Sequence, residues 1–305
     1  MEGGHRPSVG DSADAWSLAR SSVPSRDPSA VVLIGASRII MDIDLASFAE
    51  DWGGRKPVQL AVVGSDCRPV LRHLADDTSF CGTIICDVTP NTFFTTPAES
   101  NIQVEYIQKY ETRRCLALVE QRLRATIQSA CAFRLPELSP TVVFGSIVGR
   151  NSLPSPRWQT TAPDRSMRAD FSKTVDHAGL EAQWVRNRRT AYGVPPEQLQ
   201  SDLAALEERI ERIQRRGGQV VFVQFPTSGR VREIEEQRFA RARYWDVLAG
   251  HTRGITIHSA DYPNLAKLRC PDGSHLDQSD AVRFTREFVP ILKARLQKSI
   301  RPAPS

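Results

Sequence analysis

Ser37, Asp272 and His275 are the residues of this chain whose types and spacing could carry chemistry. A serine hydroxyl is a weak nucleophile until a base takes its proton, a third group fixes that base in one tautomer, and donors await the oxyanion that forms. Ser37 stands in Gly35-Ala-Ser-Arg38, directly after the apolar run 31–34 and before the mixed pattern 39–49. Strand, tight turn and helix in that order put the serine at a helix start, where its own N–H faces the space an oxyanion would occupy. Read alone, Ser37 is equally well an N-cap. Asp272-Gly-Ser-His275 supplies both remaining partners from one loop, because a carboxylate three residues before an imidazole can reach its Nδ1–H while Nε2 faces outward. Read alone, an Asp-x-x-His is a weak signal and that loop is more plainly a surface turn or a helix cap. Together the three side chains would perform acyl transfer through a covalent serine intermediate. Ser65, after a second strand, and Ser146, in Phe-Gly-Ser-Ile, are weaker competitors for the nucleophile's place.

The elements that must position these residues follow from periodicity. Short apolar runs at 31–34, 58–63 and 83–88 each end in small or polar turn residues and recur about every 25 residues, as parallel strands with crossover helices do. Residues 69–75 read as a helix, with Val70, Leu71 and Leu74 on one side. A further strand reads clearly at 219–225 and a weaker one at 254–258. Before them, Leu203, Leu206, Ile210 and Ile213 recur at helical spacing, supported by Glu208–Arg212 and Glu211–Arg215 pairs and stopped by Gly217-Gly218. The chain closes on an amphipathic helix at 279–296 that contains Pro290.

This order predicts an α/β domain over 31–296, a three-layer α/β/α doubly wound parallel sheet, with a tail at 297–305. Residues 1–30, rich in Ser, Pro, Gly, Asp and Arg, read as a flexible lead-in without the apolar core of a secretory signal. Residues 95–218 read as an insertion: a long helical stretch at 101–133, then Pro- and Ser-rich chain with a short strand at 141–144. In a doubly wound sheet the loops after the strands converge on one crevice. Ser37, Gly64, Asn91 and the 272–275 loop all fall on such loops or just after the last strand.

Composition narrows the function. With 40% hydrophobic and 25% charged residues the chain is globular, and no run approaches the roughly 20 apolar residues that span a bilayer. The net charge of +5 is scattered rather than gathered into a basic stripe, which argues against nucleic acid as a partner. Six cysteines form no C-x-x-C, so buried free thiols are expected, with a Cys115–Cys131 disulfide the alternative in an oxidising compartment. His5, His73, His177, His251 and His258 show no metal-ligand spacing, and there is no P-loop or G-x-G-x-x-G. Neither a metal nor a cofactor is implied.

The placement of Ser37 after the first strand and of Asp272-x-x-His275 before the last helix resembles the SGNH (GDSL-like) hydrolase superfamily. The stretch Val-Leu-Ile-Gly-Ala-Ser-Arg-Ile-Ile-Met-Asp-Ile-Asp at 32–44 looks most like its divergent Gly-x-Ser-Arg branch, which includes membrane-associated polysaccharide O-acetyltransferases and acetylesterases. The resemblance covers about 31–94 and 219–296. It implies a flavodoxin-like sheet, Ser37, Asp272 and His275 as catalytic residues, and Gly64 and Asn91 joining the Ser37 N–H as oxyanion donors, although the usual Gly-x-Asn-Asp around Asn91 is absent. It also implies an acyl-ester or glycan substrate, a membrane acyl-donor partner, and a periplasmic or membrane-anchored location with an anchor upstream of Met1. Arg38 could steer an anionic or sugar substrate or, more plainly, pair with a nearby acid. Trp158 and Trp184 could stack on a sugar face or form part of a packed lid. A catalytically silent binding module for glycan or partner is the rival reading, and an intracellular lipid or thioester hydrolase a third.

Overall fold

The structure, a computed structural model, describes residues 8–95, 102–113, 120, 122–123, 126–127, 144, 157–173 and 176–300. The chain begins with α1 (Ala13–Ser21), β1 (Val31–Ile34), α2 (Ser37–Met41), α3 (Leu45–Asp51), β2 (Val58–Gln59), α4 (Arg68–Asp76), β3 (Thr83–Asp87), α5 (Pro90–Phe93) and α6 (Ile102–Glu111). A small antiparallel hairpin, β4 (Gln159–Thr161) and β5 (Met167–Ala169), is followed by α7 (His177–Arg189) and α8 (Pro196–Gln214). The second half continues with β6 (Gln219–Gln224), α9 (Gly229–Arg238), α10 (Trp245–His251), β7 (Ile255–His258), α11 (Pro263–Ala266) and α12 (Gln278–Ile300).

Five strands pair in parallel in the order β2-β1-β3-β6-β7. The central strands β1, β3 and β6 carry continuous apolar runs, 31–34, 84–86 and 220–223, because both faces are covered. Val32, Ile34, Ile84, Cys86, Val220 and Phe222 enter one core with α4 and α8, while Val31, Leu33, Ile85, Val221 and Val223 enter the other with α3 and α12. From β1 the chain steps outward to β2, then returns past β1 to β3, so the winding reverses between β1 and β3. A crevice opens at such a reversal, at the carboxyl ends of the strands, and Ser37 follows β1 there. The β2 ladder is shorter than the apolar run at 58–63, but its alignment persists beyond the strand: the N–H groups of Leu60 and Val62 donate to the carbonyls of Leu33 and Gly35 at 2.8 and 2.9 Å.

Three expectations change. Residues 8–30 are not a loose lead-in, because α1 docks by Trp16, which is fully buried and donates its indole N–H to the Leu60 carbonyl at 2.8 Å. Arg20 fixes the same helix to Asp77 at 2.5 Å. Second, α8 is no part of an insertion: it is the crossover helix from β3 to β6 and buries Leu199, Leu203, Leu206, Ile210 and Ile213 in the first core. Third, the last helix runs to Ile300 rather than stopping at 296. The strand read at 141–144 lies, but for Phe144, outside the described residues, as do Ser146, His5, Cys115 and Cys131. Cys67, Cys81, Cys86 and Cys270 are free thiols.

Candidate active site

The turn that presents Ser37 depends on a close approach between two strands. Gly35 has φ +134, and a Cβ there would lie 2.5 Å from the Asp87 Cβ, so β1 and β3 can close at this level only around glycine. Asp87, buried at the end of β3, accepts the Ala36 N–H at 3.2 Å and the Thr89 hydroxyl at 3.0 Å. Burial pushes its carboxyl up to about 6, against the pull of the Arg38 charge and of those donors. Ser37 itself, the first residue of α2, is half-buried.

The partner loop lies between α11 and α12. Gly273, at φ +81, lets it fold back on itself; a Cβ there would meet Val231 Cγ2 at 2.7 Å. The Gly273 carbonyl accepts the Ser228 N–H at 3.0 Å, and the Leu276 N–H donates to Asp42 at 2.9 Å, which ties the loop to the far end of α2. Asp272 Oδ1 accepts the N–H groups of Ser274 and His275 at 2.9 and 2.8 Å, and Oδ2 accepts His275 Nδ1 at 2.7 Å. Burial would raise this carboxyl, but the hydrogen bond and charge of His275 and the two backbone donors hold it down at about 2. An ionised Asp272 accepts a hydrogen bond from Nδ1–H and so keeps the proton on that nitrogen, which leaves the Nε2 lone pair facing Ser37, whose Oγ lies 2.8 Å away. The structure thus brings Ser37, His275 and Asp272 into one chain of hydrogen bonds.

Arg38 is not available to a substrate. It is 1% exposed, and its guanidinium lies 2.6 Å from Glu235 Oε1 on α9, the oxygen that also receives Arg188 of α7 at 2.5 Å. Arg188 and Arg38 both reach the Ser274 hydroxyl, at 3.2 and 3.4 Å. An isolated buried arginine beside a nucleophile would be costly, so the chain supplies an acid from another element. Glu235 stays ionised because the two guanidinium charges overcome its burial and lower its pKa. Sequence reasoning missed Arg188 and Glu235, which read as ordinary charges on two polar helices.

Trp184 and Trp158 have different surroundings from those expected of free stacking rings. Trp184, half-buried on α7, donates its indole N–H to Asp272 Oδ2 at 2.9 Å and meets His275 edge-on, with ring centroids 5.4 Å apart. Trp158 packs on Phe171 at 5.1 Å in a small cluster with Met41 and Ala169 beside the hairpin. Gly64, exposed at φ +71, and Asn91, half-buried on α5, follow β2 and β3, the strands on either side of β1, Gly64 two residues beyond the Val62 to Gly35 contact and Asn91 two residues beyond Thr89. Neither hydrogen-bonds Ser37; the Asn91 carbonyl accepts the Thr95 hydroxyl at 3.2 Å. Ser65 is buried and its hydroxyl has no partner among the described residues, so no base attends it there.

Elsewhere, His258 is pushed down to about 4 by burial and by the charge of Arg241, and it accepts the Ala260 N–H at 3.1 Å as a local cap. Among the described residues no group of three or more His, Cys, Asp or Glu side chains could hold a metal ion, and no helix is long and apolar enough to cross a membrane. A cavity of about 620 Å³ lies by Ala30, Val31, Val58 and Gln59, at the opposite end of β1 from Ser37.

Fold and site together define an α/β protein with a parallel five-stranded sheet and a Ser–His–Asp relay at the carboxyl edge of that sheet. Neither a protein-family model nor a curated protein matches the chain.

Proposed function

We propose that this chain is a serine-dependent O-acyl esterase or acyltransferase of the SGNH-like kind, working through an acyl-Ser37 intermediate. The observation that carries the proposal is the 2.8 Å contact of Ser37 Oγ with His275 Nε2, backed by the 2.7 Å contact of His275 Nδ1 with Asp272. In the first half-reaction His275 Nε2 accepts the hydroxyl proton as Oγ attacks the acyl carbonyl. The tetrahedral oxyanion then collapses, the bond to the leaving alcohol breaks, and His275 returns the proton to that alcohol. Water or an acceptor hydroxyl reverses the sequence and frees Ser37. The Ser37 and Gly64 N–H groups and the Asn91 amide are the oxyanion donors in this reading.

The sequence context of Ser37 and Asp272-x-x-His275 supports an acetylated carbohydrate as substrate and a membrane-associated setting for the reaction, with acyl transfer and hydrolysis sharing the same intermediate. Treatment of the protein with a fluorophosphonate, followed by peptide mass spectrometry, should place the label on Ser37. Ser37→Ala and His275→Ala should each abolish cleavage of a chromogenic acetyl ester, and Asp272→Asn should lower it by several orders of magnitude through the wrong tautomer. A label on Ser65, or full activity in Ser37→Ala, would rule the proposal out.

A further inference from the structure

Asp272 is fully buried, and both of its oxygens need partners if it is to stay ionised. Two backbone N–H groups complete Oδ1, whereas His275 Nδ1 uses one acceptor direction of Oδ2. The fourth donor comes from outside the loop: Trp184 Nε1–H reaches the same Oδ2 at 2.9 Å. The indole also stands edge-on to the imidazole, at an interplanar angle of 72°, so it limits rotation of the ring that must aim Nε2 at Ser37.

Its own placement is rigid. Trp184 lies one residue before Val185, which packs against Val231 and Ile234 of α9, and one turn before Arg188, which binds Glu235 and Ser274. Helix α7 is therefore fastened on one side to α9 and on the other to the loop that carries the histidine.

We infer that Trp184 is a positioning residue for the Asp272–His275 pair, acting through its indole N–H on Asp272 Oδ2. This inference rests on the acyl-transfer reading above. A buried tryptophan often finds a polar partner simply to satisfy its N–H, so the test must separate orientation from packing. Two changes do so. Trp184→Phe removes the N–H and part of the ring, while 3-benzothienylalanine incorporated at position 184 keeps the bicyclic shape and removes only the N–H.

In both proteins the downfield proton resonance of His275 Nδ1–H, assigned by its loss in His275→Ala, should move further downfield, because Oδ2 has one donor fewer and binds the remaining proton more strongly. For a small acetyl ester kcat should fall by roughly 10- to 100-fold at unchanged KM, the size expected for one hydrogen bond to a charged group. The melting temperature of the benzothienylalanine protein should match that of the wild type. An unmoved resonance with kcat within about twofold of wild type, or a loss carried wholly by KM, would overturn the inference. If the wild type cleaved no ester, the acyl-transfer reading would fall, while the resonance would still decide the role of Trp184.

Discussion

Asp87 has its carboxyl under the nucleophile turn, where it accepts the Ala36 N–H and the Thr89 hydroxyl within reach of the Arg38 charge. Burial outweighs these partners and leaves it at about 6, above the roughly 4 of an unfolded carboxylate. Between those values the folded chain binds more protons than the unfolded one, so the contribution of this group to stability is complete below about pH 4 and is lost as pH rises through about 6. The difference amounts to about 3 kcal/mol at most. Asp87→Asn keeps one acceptor for Ala36 and cannot ionise, so its unfolding free energy in urea should be flatter from pH 4 to 7 than that of the wild type. Parallel curves for the two proteins would show that Asp87 is already charged throughout that range. At this scale the sequence was most informative about Ser37, Asp272 and His275, because each sits at an element boundary that apolar runs and turn residues mark. It was least informative about Trp184, Arg188 and Glu235, whose partners lie 88, 86 and 197 residues away. No local pattern encodes such contacts.

Helices α2, α7 and α9 meet at one buried carboxylate, Glu235, which holds Arg38 and Arg188 together. The gain from such a triad over well-packed apolar residues is small, since three charges must be desolvated, yet removal of one member leaves the others uncompensated. Glu235→Ala strands two guanidinium groups that are 1% and 4% exposed, and should destabilise the protein by about 3–5 kcal/mol in urea unfolding. Glu235→Gln, which still offers an acceptor, should cost less. If Glu235→Ala were as stable as the wild type, water would have to reach both arginines, and the three helices would not be fastened in this way. The strands were easier to read than these helices. Residues 31–34, 84–86 and 220–223 are apolar because both sheet faces are covered, which leaves a continuous signal. Helix α7 carries a weak apolar stripe and three arginines in its last turn, Arg186, Arg188 and Arg189, so its inward face is set by ion pairs and cannot be recognised from hydrophobic spacing.

Across the whole molecule, the connection from β3 to β6 decides which parts are separable. These strands are parallel neighbours, and a parallel pair needs a crossover of a dozen or more residues, usually helical. Helix α8 fills that role; α6 and α7 hang on the same connection but reach back into the fold, α6 against α1 and α4 and α7 against α9 and Asp272. The region that composition suggested was an addition therefore supplies a core layer and a contact to the site. The apolar stripe of α8 itself reads as a helix at Leu203, Leu206, Ile210 and Ile213, but one apolar face of five residues within more than a hundred residues of mixed chain does not show which layer it covers. Leu206, 1% exposed at the centre of that stripe, is the direct probe. Leu206→Ala should destabilise the protein by about 2–5 kcal/mol, the range for a buried leucine whose cavity collapses incompletely. A chain in which 176–214 is replaced by a short flexible linker should lose its cooperative urea transition altogether, since the second half of the sheet then has neither its crossover nor its cover. A cooperative transition in that shortened chain, with near-native circular dichroism, would mean that β3 and β6 pair without α8 and that the region is an insertion after all.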